Sequence, residues 1–504
     1  MTTFRTHYSP YFEARALAMN GVLKVRWHDW LGVAPPAIPG DIDLADKVEG
    51  MMLGLAIGDS LGNTTESCNP ADRRALHGWI EGYMPNRHAE GQRVGLPSDD
   101  SQLAFWTLEH LVDHGRLEPQ LLGNAMARSR IFGIGQAVRE WLAAFKRGTP
   151  WHCSGTPSAG NGALMRIAPV LIPHLGRPNC DLWADTLLAA HLTHDDELSN
   201  VSCVALVDAL WMAIGTTGRV APRWWLDRWL VVCDALGSGA KYAARSNHPP
   251  GFEGSISELV RGYVVPALER QLEVSAAGEV WHSGAFLLET VPTVLYILEK
   301  FGNDPREAIL QAVNQTRDND TVAAIVGAAV GALHGAAALP KAWVEGLSGR
   351  TRHDDDHRAF AILADAGRRF GYGATYGTLD RAALYRPGPR AIAIQNKVVK
   401  IPKDILADEL WFKIVDFLQQ NWALIDESSS GNGCTVFFFH DMSGVFDRLS
   451  FSSVAKAEQA LRRNGFARFA KDKKAQKFIN IPDRPLHEDS HPNGPIYSSG
   501  KFWH

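Results

Sequence analysis

The chain has 504 residues, a formal net charge of −4, 45% hydrophobic residues and 21% charged residues, an ordinary globular composition. That balance gives no electrostatic case for nucleic acid as the main partner. Its six cysteines (Cys68, Cys153, Cys180, Cys203, Cys233 and Cys434) include no C-x-x-C pair. This argues for free thiols in a reducing compartment and against a disulfide framework or a zinc site.

Residues 1–46 open on M-T-T-F-R-T-H-Y-S-P-Y-F, which lacks the apolar core of a signal peptide, and a cytoplasmic protein is expected. They read as an aromatic, irregular N-terminal extension closing in A-P-P-A-I-P-G, where the prolines predict an extended connector. Residues 47–372 are dominated by long helical segments rich in Ala, Leu and Val, such as Val201–Ile214, Ala285–Glu299 and Thr321–Leu339. Strand-like alternation is scarce, so this stretch reads as one large, mainly all-α domain. R-P-G-P-R near Arg386 marks a linker over 373–400. Residues 401–504 read as a small α+β domain. A helix is expected over Asp404–Gln420, a hairpin from C-T-V-F-F-F-H and V-F-D-R-L-S-F, then a helix over Ser453–Asn464 with Gly465 as its C-cap.

Within the helical domain, L-G-L-A-I-G-D-S-L-G-N-T-T-E runs from Leu53 to Glu66, with Gly54, Gly58 and Gly62 every four residues. That spacing predicts one bare helix face for close packing, with Asp59 and Glu66 as polar groups at its rim or end. Two acidic stretches follow. Ser98-Asp99-Asp100-Ser101 and Asp318-Asn319-Asp320-Thr321 each place paired carboxylates and a hydroxyl at a helix start. Ordinary N-capping accounts for either one alone. Together they make an all-oxygen ligand set for hard cations. If folding brings the two starts together, divalent ions would offset the repulsion and hold an activated water.

Gly155–Pro169, G-T-P-S-A-G-N-G-A-L-M-R-I-A-P, is a Gly, Ser and Asn loop whose backbone N–H groups suit phosphate oxygens. Thr321–Pro340 is about as long as a membrane span. It is also Ala- and Gly-rich, holds His334 and directly follows two aspartates, so a buried helix is expected. Gly327, Gly331 and Gly335 form a second bare stripe there. His353-Asp354-Asp355-Asp356-His357 looks metal-rich but sits among arginines and reads as a solvated loop. Phe502 and Trp503, in the tail, pack locally or bind a partner; the sequence does not decide.

In this order, G-x-x-x-G-D-x-x-G-x-x-x-E, S-D-D-S, S-A-G-N-G-A-L-M-R-I-A-P, T-H-D-D and D-x-D-T before a Gly/Ala helix resemble the ADP-ribosylglycohydrolase family. The resemblance spans about residues 46–372. It implies an orthogonal helical fold with two Mg2+ (or Mn2+) ions in a cleft, and hydrolysis of the bond joining ADP-ribose to an acceptor. Ser98, Asp99 and Asp100 would form one ligand set, and Asp318, Asp320 and Thr321 the other, with Asp320 bridging. Asp100 and Glu66 would be catalytic. Gly160, Asn161, Gly162, Met165 and His194 would line the ADP-ribose site, with Gly133 and Gly135 in a further substrate loop. Ser stands at 98 and 101 where the family often has Thr, which keeps the hydroxyl. The N-terminal extension and the C-terminal domain lie outside the resemblance. The implied partner is an ADP-ribosylated protein, arginine-linked by preference. A variant is immunity to an ADP-ribosylating toxin, engaged by the extra segments. Alternatives are a catalytically silent ADP-ribose reader and a hydrolase of nucleic-acid-linked or free ADP-ribose compounds. A purely structural scaffold leaves the co-occurrence of the motifs unexplained.

Overall fold

The computed structural model describes residues 9–66, 68–352, 357–372, 410–416, 419–427, 433–440, 443–479, 481–482 and 486–488. The linker, most of the His353–His357 segment and the C-terminal aromatics lie outside these residues. The chain divides into two compact units, Met1–Ala391 and Ile392–His504.

The first unit is a helical assembly around one continuous apolar core. Its helices include α1 (Pro10–Met19), α2 (Leu44–Gly62), α3 (Asp99–His114), α4 (Gln136–Lys146), α5 (Asp181–His191), α6 (Glu197–Ile214), α7 (Leu287–Phe301), α8 (Pro305–Gln315) and α9 (Asn319–His334). The N-terminal region is not wholly irregular. Y-F-E-A-R-A-L-A-M, entered through Pro10, forms α1, because Ala, Leu, Glu and Arg favour helix and proline is tolerated at the first position. This arm joins the core through Ala14, Leu23 and Leu31. The proline-rich stretch after it is pinned by two indoles, Trp183 Nε1 donating to Val33 O (2.8 Å) and Trp211 Nε1 to Pro36 O (2.9 Å).

Helices α2 and α9 pack antiparallel through their bare faces. A Cβ on Gly54 would lie 2.1 Å from Gly327 O, one on Gly58 2.0 Å from Ala323 O, and one on Gly331 1.9 Å from Gly50 O. Side chains at these positions would overlap backbone, so only glycine permits the contact. Helix α9 stops at His334, short of the expected Leu339, because Gly335 turns to φ +84°. All but the last residue of α9 is buried. Among the described residues, Glu197–Ile214 is long and apolar enough to cross a membrane, but 89% of it is buried inside the protein. It is a core helix.

The second unit is a sheet with a helix, α10 (Val454–Arg463), on one face. Its strands are β1 (Trp411–Asp416), β2 (Gln419–Asp426), β3 (Cys434–His440), β4 (Gly444–Phe451), β5 (Ala467–Arg468) and β6 (His487–Glu488), in the order β6-β4-β3-β2-β1-β5. The expected helix over Asp404–Gln420 is wrong where the structure describes it: Trp411–Asp416 is a strand paired antiparallel with β2. Its alternating sides are buried in different cores, Trp411 beneath α10 and Phe412 on the other face. The same alternation explains the run Phe437-Phe438-Phe439 in β3, whose strand is covered on both faces.

Candidate metal and substrate site

The α2–α9 contact carries the end of one helix to the start of the other. A Cβ on Gly62 would lie 2.5 Å from Asp320 Cα. Asn319, between the two acids of D-N-D-T, is fully buried and donates to Gly62 O (3.0 Å), Thr65 Oγ1 (3.1 Å) and Val313 O (3.1 Å). Arg73, also fully buried, donates to Thr316 O (2.7 Å), Thr65 Oγ1 (3.0 Å) and Cys68 O (2.8 Å). These bonds join the segment holding Glu66 to the one entering α9.

Helix α3 begins against the same place. Ser98 occupies its N-cap position, but its side chain makes no capping bond. Its hydroxyl and backbone N–H instead bond to Asp59 of α2, Oγ to Oδ1 at 2.7 Å and N to Oδ2 at 2.9 Å. Asp318, at the N-cap of α9, also makes no capping bond and accepts from Asn161 Nδ2 at 2.5 Å. The capping expected of both motifs therefore does not occur, because stronger tertiary partners hold these side chains.

Carboxylate oxygens of Asp59, Asp100 and Asp320 lie within 4.8 Å of one another, and so do those of Glu66, Asp318 and Asp320. Asp320 belongs to both groups. Asp99 is in neither, but its carboxyl is close enough to Asp100, Glu66 and Asp59 to feel their charge. Burial pushes the carboxyls of Asp99, Asp100 and Asp320 well above their usual range, and neighbouring acids push them further. Burial also raises Asp318. Glu66 is exposed along one side, yet the crowded cleft, then Asp318 and Asp59, push its carboxyl up to about 7. Water on the open side screens part of that shift.

The Thr321 hydroxyl lies beside Asp100 and Asp318 and favours their charged forms. Asp100 Oδ1 is buried without a hydrogen-bond partner among the described residues, while Oδ2 faces Ser98 Oγ at 3.3 Å. Several acids, one with a bare buried oxygen and all raised by burial, form a set that divalent cations would neutralise. The donor set thus fits hard ions, and Ser98 Oγ and Thr321 Oγ1 keep lone pairs for them.

Asp59 is the residue that sequence reasoning placed only at a helix rim. It is fully buried and accepts from five donors: Ser98 N, Ser98 Oγ, Ser101 N, Ser101 Oγ and Asn63 Nδ2. Burial raises its pKa even against those bonds. It both joins one acidic group and holds the S-D-D-S turn. The available signal was its position one residue after Gly58, which turns it off the bare stripe and toward the start of α3.

The expected substrate loops converge from the other side. Asn161 donates to Asp318 and to Thr290 Oγ1 (3.1 Å), and its backbone N–H donates to Ala285 O (3.0 Å). The strap carrying Ala285 also receives the backbone N–H of Asp318 on Ser283 O (3.0 Å), tying the Gly loop to D-N-D-T. Gly160 and Gly162 border His194: a Cβ on Gly162 would lie 3.2 Å from its Nε2. Met165 is buried below the loop, its N–H on Asn161 O at 3.1 Å. Gly133, at φ +52°, packs on Asp99, where a Cβ would lie 3.0 Å from Oδ1. Gly135 is the N-cap of α4, with open space where a Cβ would stand.

A family model described as ADP-ribosylglycohydrolase matches residues 40–371. The chain belongs to that family. It is a hydrolase of glycosyl bonds by that membership. It is 29% identical over 314 residues to a Pseudomonas putida protein named ADP-ribosylarginine hydrolase Tri1, covering 60% of this chain and 74% of that one. It is 26% identical over 329 residues to the ADP-ribosyl-[dinitrogen reductase] glycohydrolase of Rhodospirillum rubrum, covering 64% and 97%. A bovine protein, ADP-ribosylhydrolase ARH3, is 21% identical over 342 residues, covering 61% and 90%.

Proposed function

We propose that the protein releases ADP-ribose from modified arginine side chains of a protein substrate, at a binuclear Mg2+ (or Mn2+) centre. The observation that carries this reading is the pair of acidic groups sharing Asp320, one of them holding the bare Oδ1 of Asp100. The arginine linkage is favoured because two relatives are named for it, the Tri1 proteins of Pseudomonas putida and Serratia proteamaculans.

Asp59, Asp100 and Asp320 would hold one ion and Glu66, Asp318 and Asp320 the other, with Asp99, Ser98 and Thr321 as further donors. Ions bound there would supply charge neutralisation, Lewis acidity and an acidified water. The chain's own groups do the rest. Gly160, Gly162 and His194 seat the ADP-ribose, with Asn161 tying that loop to Asp318. Positioning supplies much of the rate, since the site is built on helix ends and a backbone strap. Asp100 takes the proton of the attacking water. Glu66 stands at the solvent-facing rim, suited to meet the departing acceptor group, and would act there as the carboxylate of the second ion's ligand set.

The test is a turnover assay with arginine-, serine- and nucleic-acid-linked ADP-ribose, in Mg2+ and in chelator. Release from the arginine linkage alone, abolished by chelator, is expected. Binding without release would identify a reader. Release from nucleic acid or free compounds would move the substrate. An immunity role follows this reading through the arm and the second unit, which the family match leaves uncovered. Failure to capture a co-expressed ADP-ribosyltransferase would count against it.

A further inference from the structure

We propose that Arg166 is a positioning residue that fixes His194 as a neutral imidazole with its proton on Nε2, directed at an oxygen acceptor of the ligand beside Gly160 and Gly162. This rests on the reading that the site takes ADP-ribose.

Arg166 has no exposed surface, and its Nη2 donates to Ala189 O and to Thr193 Oγ1, each at 2.8 Å. A guanidinium has donors only, so the Thr193 oxygen must accept. The hydroxyl has one proton to give. Among the described residues the acceptor it meets is His194 Nδ1, at 2.9 Å. Nδ1 is therefore the accepting nitrogen, and the ring proton sits on Nε2. His194 is itself buried, and burial followed by the Arg166 charge pushes its pKa down to about 3, which keeps the ring neutral.

The ring's place is fixed as well. Thr156 N donates to Thr193 O (3.0 Å) and Asp195 N to Thr156 O (2.8 Å), which clamps the T-H-D segment to the start of the Gly loop. Nε2 has no protein partner among the described residues. A Cβ on Gly162 would come within 3.0 Å of Cε1 and 3.2 Å of Nε2, and one on Gly160 within 3.9 Å of Nε2. Both glycines thus leave room for a ligand atom beside a single aimed donor. Among the described residues Arg166 meets no carboxylate partner, and its Nε and Nη1 find no acceptor. A charge buried on those terms is costly, and the Thr193–His194 chain gives it a task that an apolar residue of similar size lacks.

The acceptor is a phosphate oxygen or a ribose hydroxyl. Long-range 1H–15N NMR of the imidazoles reads the tautomer directly, with the His194 signal assigned by its loss in His194→Gln. A neutral Nε2–H pattern is expected from pH 5 to 8 in the ligand-free protein. Thr193→Ser should keep it. Thr193→Val should convert it to a mixture and weaken ADP-ribose binding about tenfold, the scale on which loss of such orienting partners acts. A parallel loss for ADP would place the acceptor on the ADP moiety, and a loss confined to ADP-ribose would place it on the second ribose. A wild-type ring that is Nδ1–H or charged at pH 7 overturns the proposal, as does Thr193→Val with wild-type tautomer and affinity. Wild-type protein that binds no ADP-ribose refutes the proposed function instead, and the ligand-free spectrum still judges the tautomer.

Discussion

Helices α6 and α9 both begin at an aspartate, and the two carboxylates meet different fates. Asp196 caps α6, accepting from Leu198 N at 2.8 Å and Ser199 N at 3.3 Å. Asp43 and Asp304 cap their helices in the same way. Asp318 sits at the corresponding position of α9 but leaves the helix amides alone and turns to Asn161, as Ser98 on α3 turns to Asp59. An acidic helix start is therefore ambiguous until its tertiary partners are known. Where a backbone-on-backbone contact brings a second acidic element alongside, the carboxylate serves the cleft.

The largest expected effect breaks this comparison at its functional end. Asp100→Asn or Asp320→Asn should lower kcat by about 10³-fold, roughly 4 kcal/mol, with the fold retained by circular dichroism. Asp196→Asn should stay within about threefold of wild type. Equal losses at Asp196 and Asp320 would erase the distinction between capping and cleft aspartates. Next, Asp59→Ala strips five donors of their acceptor and should weaken divalent-ion binding 10–100-fold, about 1.4–2.8 kcal/mol, by calorimetry. Unchanged affinity would remove Asp59 from the centre.

The third expectation concerns pH. A carboxyl whose pKa is raised by folding holds its proton more tightly in the native state. Its stabilisation is full below the unfolded pKa and is lost as pH rises through the folded one. For Glu66 the window runs from 4.5 to about 7, and the cleft aspartates act in the same direction from 3.8 upward. Chelated protein should therefore melt at a lower temperature at pH 8 than at pH 5. Saturating Mg2+ should flatten or reverse that slope. Identical slopes with and without ion would mean the acids are not a cation site. The smallest effect is at the ordinary caps: Asp43→Ala should cost about 1 kcal/mol of stability in denaturant unfolding and leave ion affinity untouched.

The two acidic stretches were legible because their residue types repeat beside hydroxyls at helix starts, and the bare glycine faces because their spacing matches helical rows. Asp59 was not, since a carboxylate inside a helix does not announce the four donors that Ser98 and Ser101 bring to it from 39 and 42 residues away. α1 was hidden by its aromatic flanks, although its Ala-rich core and Pro10 carry helix signals. Over Asp404–Gln420 the sequence reads as helix, whereas Trp411 and Phe412 are buried on opposite faces of a strand that only the neighbouring strand fixes. The 1–46 and 373–400 boundaries were drawn from composition, and composition does not reveal that two indoles fasten the proline stretch to the body.

The glycine seam between α2 and α9 has one more consequence. Most protein sites take their dimensions from interlocking side chains, which evolution and engineers can retune by a methyl group at a time. Here the spacing between Asp59 and Asp320 is gauged by peptide planes in contact, a ruler without adjustable marks. Enlarging the site for a bigger ion or a different acceptor would have to proceed through α3 and the Gly loop, because the seam itself admits no intermediate setting.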